Sequence, residues 1–311
     1  MTTAYYSHPD CHRHDMGRGH PECPARLDAI NDHLLATGLD VALARRDAPQ
    51  VDQAAVERAH AGSYVTALRD ALQPLRPGAP LLQIDPDTAA GAGTWAAVQR
   101  AAGAAVAATD EVIGGQVSNA FCAVRPPGHH AMHAQAMGFC FFNNVAIAAR
   151  HALEVHGLQR VAVVDFDVHH GNGTEDILAG DERVLMVGIF QDQLYPNSGN
   201  HPRGANMLNL PMPAYSRGPA VRAAIEAHWL PRLEAFRPEM IFISAGFDAH
   251  RDDELAQLGL VEADYEWITR RLKDVAERHA GGRIVSCLEG GYNLGALARS
   301  VAAHLRVLAE V

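Results

Sequence analysis

The sequence predicts a single α/β domain with a mostly parallel central sheet flanked by helices, and three observations predict it. Short apolar runs, Ala120–Val124, Val161–Val164, Val184–Phe190, Met240–Gly246 and Ile284–Leu288, alternate with stretches of helical spacing, an order that implies right-handed crossovers between parallel strands. After four of these runs come clusters of histidine, acid or tyrosine, at the carboxyl ends where open parallel sheets place their ligands. The clusters extend from about residue 129 to 292 with no intervening linker, so residues 1–311 are read as one domain.

Taken in order, Ala4–Ser7 suits a first strand, and His8–Pro24, rich in His, Gly and Pro, suits a long loop of the kind that lines sites. Arg26–Thr37 has helical spacing in Leu27, Ile30, Leu34 and Leu35, closed by Gly38. An alanine-rich helix is expected over Gly91–Ile113, where small side chains favour tight packing. Ala120–Val124 reads as a buried strand broken by Arg125-Pro-Pro-Gly128. Gly138-Phe-Cys-Phe-Phe-Asn-Asn144 leads into a helix over Val145–Val155, stopped at Gly157, and Thr174–Leu178 reads as a short helix. No internal repeat or low-complexity segment occurs.

A formal charge of −10 and no block of Lys or Arg argue against direct nucleic-acid binding, while a net negative charge attracts cationic substrates. Five cysteines, Cys11, Cys23, Cys122, Cys140 and Cys287, without a close C-x-x-C pair argue against a disulfide framework. The opening residues lack a basic segment followed by an apolar one, and no run reaches the roughly 18 apolar residues of a bilayer span. A cytoplasmic protein with no membrane partner is therefore expected.

The chemistry concentrates in Asp165-Phe166-Asp167-Val168-His169-His170-Gly171-Asn172-Gly173. In extended chain alternate side chains share a face, which would aim Asp165, Asp167 and His169 one way and Phe166 and Val168 the other. Carboxylate oxygen with imidazole nitrogen suits zinc. A second histidine pair, His129-His130, follows Arg125-Pro-Pro-Gly128; Asp248 follows the 240–246 run, and Glu289-Gly-Gly-Tyr292 follows the 284–288 run. Metal-assisted amide hydrolysis needs a few ligands, a base for water and a donor to the oxyanion. Asp167, His169 and Asp248 are the natural ligands, His129 and His130 remain for proton transfer, and Asp165 suits a partner that fixes an imidazole tautomer.

From Gly19-His-Pro-Glu22 and Arg26, through Arg125-Pro-Pro-Gly-His-His130, Gly138-Phe-Cys140, Asp165–Gly173 and Ser244-Ala-Gly-Phe-Asp248, to Glu289-Gly-Gly-Tyr292, the chain resembles the zinc-dependent histone deacetylase superfamily. That superfamily shares an arginase-like fold with acetylpolyamine amidohydrolases. The wording of the Arg-Pro-Pro-Gly-His-His and Leu-Glu-Gly-Gly-Tyr segments is similar to the class II branch and its bacterial relatives. The resemblance implies one zinc per chain on Asp167, His169 and Asp248, with His130 as general base and then acid and His129 acting electrostatically. It implies that Tyr292 donates to the substrate carbonyl, and that Phe139 and Tyr195, with Gly138, wall an acyl-lysine tunnel. Asn172 stands where class I enzymes carry an aspartate behind the second histidine, so His130 is expected to be less basic than in that branch.

Two departures from the family pattern fall in Val187-Gly-Ile-Phe190. Gly188 removes a side-chain oxygen that commonly helps to hold a structural potassium ion (K+) beneath the zinc, and Phe190 replaces a histidine. Main-chain carbonyls around Asp165, Asp167 and His169, with water, are left for that ion.

Leu255, seven residues after Asp248, matches the position where polyamine-specific relatives carry a glutamate. The resemblance thus implies hydrolysis of acyl-lysine amides in proteins or peptides, with small acylated amines such as acetylpolyamines as the alternative substrate. Rim acids Asp252, Asp253 and Glu254 could draw in either cationic substrate, and Asp85 or Asp87 would hold the substrate backbone. A dinuclear manganese enzyme of arginase type needs more acids than the sequence offers, since Ala249 and His250 follow Asp248.

Overall fold

Burial on both faces explains the apolar runs, because strands inside a parallel sheet have no solvent side and lose the usual alternation. The computed structural model describes residues 2–311. Its strands are β1 Thr3–Ser7, β2 Leu43–Asp47, β3 Leu82–Gln83, β4 Ala89–Ala90, β5 Asn119–Cys122, β6 Val161–Asp165, β7 Val184–Gln191, β8 Met207–Met212, β9 Met240–Ala245 and β10 Ile284–Leu288. Every residue of β5, β6, β7, β9 and β10 is buried.

Eight strands form one sheet in the order β2-β1-β5-β10-β9-β6-β7-β8. All of its pairings are parallel, where a mostly parallel sheet was expected. The antiparallel pair β3-β4 stands apart from it. Helices are α1 Ala25–Thr37, α2 Gln53–Val56, α3 Gly62–Leu72, α4 Thr94–Ile113, α5 Asn144–Glu154, α6 Asn172–Leu178, α7 Gly218–Ala224, α8 Leu230–Phe236, α9 Glu262–His279 and α10 Leu294–Ala309. Two groups cover the sheet: α4 packs on α5, while α1, α10 and α9 lie side by side. The alanines of α4 at 97, 101, 104, 105 and 108 are wholly buried or nearly so, which lets this helix approach its neighbours closely.

Several boundaries differ from the sequence expectation for local reasons. The strand expected over 120–124 ends at Cys122. The alanine-rich helix starts at Thr94 rather than Gly91, and the Thr94 hydroxyl accepts the Gly91 amide at 2.9 Å. Asn172 opens α6 instead of preceding it. Within the 8–24 loop, Pro9–Arg13 forms a single 3₁₀ turn. All five cysteines are free, and among the described residues no helix is long and apolar enough to cross a membrane.

Strand order is what assembles the motifs. In the sequence β5, β6, β9 and β10 are far apart, yet they are adjacent as β5-β10-β9-β6. Being parallel, they deliver the segments after residues 122, 165, 245 and 288 to one edge of the sheet.

Candidate active site

After β6 the chain leaves the ladder at Asp165, and carboxylate-to-amide turns take over from strand geometry. The Asp165 carboxylate accepts the Asp167 amide at 3.1 Å, and Asp167 in turn accepts the His169 amide at 2.8 Å. The alternation of faces survives: Phe166 packs against Phe247, Tyr265 and His304 in the core, whereas Asp165 and Asp167 turn to the other side.

One ligand atom each from Asp167, His169 and Asp248 lies within 4.8 Å of the other two. His169 Nδ1 is 2.9 Å from Asp167 Oδ1 and 3.2 Å from Asp248 Oδ2. The register that pairs Asp165 of β6 with Ser244 of β9 brings the two acids together across eighty residues of sequence. Val168 donates its amide to Asp248 Oδ1 at 2.9 Å, which leaves Asp248 Oδ2 buried without a hydrogen-bond partner. Gly290 closes the cradle, donating its amide to Asp167 Oδ2 at 2.8 Å. A Cβ at Gly290 would stand 1.9 Å from Asp248 Oδ2 and 2.7 Å from Asp167 Oδ2, so only glycine leaves this space. Burial, with Asp167 nearby, pushes the Asp248 carboxyl up to about 6. An orphaned carboxylate oxygen, a second acid and an imidazole in one cradle fit a divalent cation such as zinc.

Behind the cradle, His129 Nδ1 lies 3.0 Å from Asp165 Oδ2 and His130 Nδ1 lies 2.7 Å from Asn172 Oδ1. Their surroundings drive them apart. Burial opposes charge on His129, but Asp167 and Asp165 overcome it and hold this imidazole well above its ordinary pKa. Burial lowers His130 well below that value, and the neighbouring His129 and His169 lower it further. Burial thus keeps the His130 ring neutral, with the Asn172 amide oxygen as its hydrogen-bond partner.

The sequence assigned no role to Glu289, Arg26, Arg125 or Glu22, and the structure makes them the frame. Glu289 Oε2 accepts the amides of Gly128 and His129 at 2.6 and 3.1 Å, and Oε1 accepts the Ser244 hydroxyl at 3.1 Å. Burial lifts its pKa to about 7. Glu22 pairs with Arg26 and Arg125, all three wholly buried. Arg26 donates to the carbonyls of Gly291 and Glu289, and its guanidinium lies 5.2 Å from the Tyr292 ring centre.

A cavity of about 250 Å³ reaches this edge and is lined by His129, His130, His169, Phe139, Tyr195, Leu255 and Tyr292, among others. The rings of Phe139 and Tyr292 meet edge to face at 5.9 Å, as do those of His130 and Tyr195 at 5.2 Å. Gly138 also lines it, with φ of 56°, and a Cβ there would come within 2.5 Å of the His130 ring. Burial, and then Asp248, raise the Tyr292 hydroxyl well above its ordinary pKa, so it remains a proton donor. Pro127, from the Arg125-Pro-Pro-Gly128 segment, and Leu194, just before Tyr195, join the lining, although the sequence reading assigned neither a role.

The rim departs from the sequence reading. Asp253 is buried, not a solvated rim acid: Oδ2 accepts the amides of Tyr292 and Asn293 at 2.7 and 3.1 Å, and Oδ1 accepts that of Leu255 at 3.1 Å. Asp252 is engaged by Arg299 at 3.3 Å. Glu254 is exposed and makes no ion pair among the described residues. Asp85 is spent on the amides of Asp87 and Thr88, which leaves Asp87 as the acid lining the cavity. Phe190 packs on His170 with ring centres 5.0 Å apart, and His250 hydrogen-bonds the Asp252 amide at 3.1 Å, outside the cradle.

The histone deacetylase domain model matches residues 20–308. The chain belongs to the histone deacetylase family. This is a hydrolase family, and its fold is found here over the whole sheet. A histone deacetylase-like amidohydrolase of Pseudomonas aeruginosa is 39% identical over 283 residues, covering 88% of this chain and 73% of the relative. The human protein named polyamine deacetylase HDAC10 is 35% identical, covering 99% of this chain and 48% of its own length. Among solved structures, the crystal structure of the HDA15 HD domain superposes with a TM-score of 0.92 at 32% identity, covering 99% of this chain and 88% of that one.

Proposed function

We propose that this histone deacetylase family member is a zinc-dependent deacylase that hydrolyses the amide of acylated lysine side chains in proteins or peptides, with residues 1–311 forming one catalytic domain. The observation that carries the substrate class is the aliphatic Leu255 on the wall of a narrow cavity whose other walls are Phe139 and Tyr195. An apolar channel of this kind suits the methylene stem of lysine.

Asp167, His169 and Asp248 would hold one zinc, which when bound supplies a Lewis acid for the carbonyl and lowers the pKa of water. His130 has Nδ1 engaged by Asn172 Oδ1, so its neutral form carries the lone pair on Nε2, the nitrogen left to take a proton from attacking water. The same nitrogen then returns that proton to the leaving amine as the C–N bond breaks. His129, cationic against Asp165, stabilises negative charge without exchanging its proton. Tyr292 donates its hydroxyl hydrogen bond to the carbonyl oxygen as that oxygen becomes an oxyanion. A Cβ placed on Gly188 would meet Asp165 and Met186 at 4.0 Å, an ordinary contact; because glycine supplies no side-chain oxygen, main-chain carbonyls and water would hold any potassium ion.

A second reading, hydrolysis of small acylated amines such as acetylpolyamines, is favoured by the unpaired Glu254 beside Leu255 and by Asp87 in the lining. Turnover of an acetyl-lysine peptide and of acetylspermidine, each with the Tyr292→Phe variant, separates the two. Peptide turnover lost in the variant is the expected outcome. Activity confined to acetylspermidine would replace the first reading with the second, and peptide turnover undiminished in Tyr292→Phe would remove the mechanism.

A further inference from the structure

Away from the cavity, at the other end of α5, a second group of ligand atoms converges. Asp110 lies in the last turns of α4, His151 in the last turn of α5, and His156 in the turn that follows. Their ligand atoms fall within 4.8 Å of one another. His151 Nε2 and His156 Nε2 stand 2.7 and 2.6 Å from the same oxygen, Asp110 Oδ1. The two rings meet at 74° with centres 5.2 Å apart.

From these residues we propose a solvent-accessible site for a divalent transition metal, zinc or one of its neighbours, that joins α4 to the end of α5. The ligand set is the first reason. Two imidazole nitrogens and one carboxylate select zinc, nickel or copper over magnesium and calcium, which prefer oxygen alone. Geometry is the second. Tetrahedral zinc with bonds of about 2.0–2.1 Å holds its ligand atoms roughly 3.3 Å apart, so the cluster must open by about 0.6 Å. That is a side-chain adjustment, and the buried cradle shows a similar compression between Asp167 and His169 at 2.9 Å. Access is the third. The His151 side chain is 11% exposed, that of His156 24% and that of Asp110 50%, so the imidazoles are held while one side stays open for water to complete the shell.

The site is separate from the cavity. The amino end of α5 is at the histidine loop, where Asn143 donates to the Ala131 carbonyl at 3.2 Å, and at about 1.5 Å per residue the helix carries His151 roughly 12 Å and its own carboxyl end, next to His156, roughly 16 Å from there, beside the opposite edge of the sheet. A metal there would replace a shared hydrogen-bond acceptor with a three-point clamp on two packed helices. Being shallower and holding one carboxylate rather than two, it should release its ion more readily than the cradle does.

Zinc content per chain, measured on the full-length protein dialysed against excess free Zn²⁺, tests this as a difference between wild type and the Asp110→Ala/His156→Ala variant. Both substitutions are at partly exposed positions outside the cavity, so folding and deacylase turnover should be unchanged. The wild type is expected to hold one more zinc than the variant, and Co²⁺ should give a visible absorption band in wild type that is reduced in the variant. Equal zinc content in the two proteins would overturn the site, as would displacement of the extra ion by Mg²⁺ or Ca²⁺. Because the readout is a difference, it does not depend on the ion assigned to Asp167, His169 and Asp248.

Discussion

Asn172 Oδ1 accepts from His130 Nδ1 at 2.7 Å, so the imidazole assigned to proton transfer rests on a neutral amide. A carboxylate in that place would stabilise the imidazolium. Asn172→Asp should therefore raise the His130 pKa by about one to two units, moving the acidic limb of kcat/KM to higher pH, since the base must be unprotonated in the free enzyme. A pH–rate profile of the variant superimposable on that of wild type would show that His130 is not the titrating base.

The carboxylate of Asp253 binds the amides of Leu255, Tyr292 and Asn293. One side chain thus ties a wall of the cavity to the tyrosine that would bind the oxyanion. Asp253→Ala should lower kcat by about 10²-fold, the loss that small misplacements of reacting groups produce, while KM changes less. Asp253→Asn keeps one acceptor oxygen and should recover part of the rate. An equal fall in kcat and in folded fraction would mean that Asp253 serves the fold alone.

The central strands were legible because parallel strands buried on both faces read as unbroken apolar runs. β2 was not: its residues Leu-Ala-Arg-Arg-Asp carry charge because it is an edge strand with a single neighbour. β8, at the opposite edge, contains Pro211 and a partly exposed face and left no run to find. Ligands and histidines were legible because several chemical residues fell together after strands. Their frame was not. Glu22, Arg26, Arg125 and Glu289 are separated by as many as 267 positions (289 − 22), and only the fold reveals that each satisfies the others or a loop carbonyl. Asp253 was misread for a related reason. Between Asp252 and Glu254 it resembles a solvated acid, and only backbone amides arriving from residues 292 and 293 show otherwise.

Core histidines make stability depend on pH. Burial holds His14 and His60 down at about 4 and His304 at about 3, whereas in an unfolded chain each takes up a proton near 6.5. Between those values the unfolded state binds more protons, so stability falls as pH falls from 6.5 toward 4. Glu289, raised to about 7 by burial, acts oppositely between its unfolded value near 4.5 and 7 and offsets one of the three. Near pH 5.5 each histidine that stays neutral in the fold contributes a slope of up to about 1.4 kcal/mol per pH unit. Urea midpoints should therefore drop between pH 6.5 and 5, and His304→Gln should make the dependence shallower by about one proton.

Glu22 accepts from both Arg26 and Arg125 in a wholly buried cluster, and these charges hold its carboxyl down at about 2 against a burial that alone would raise it. Removing one partner of such a group leaves buried charge uncompensated, at a cost of about 3–5 kcal/mol. Glu22→Gln should lower unfolding free energy by that amount, measured by urea titration near neutral pH. It should also slow turnover, because Arg26 holds the Gly291 carbonyl at 2.7 Å and so steadies the loop that carries Tyr292. Glu22→Asp tests charge apart from reach: the carboxylate is kept but withdrawn by one methylene, and it should restore part of the stability if electrostatics dominate. Stability as low in Glu22→Asp as in Glu22→Gln would mean that hydrogen-bond geometry outweighs charge in this cluster.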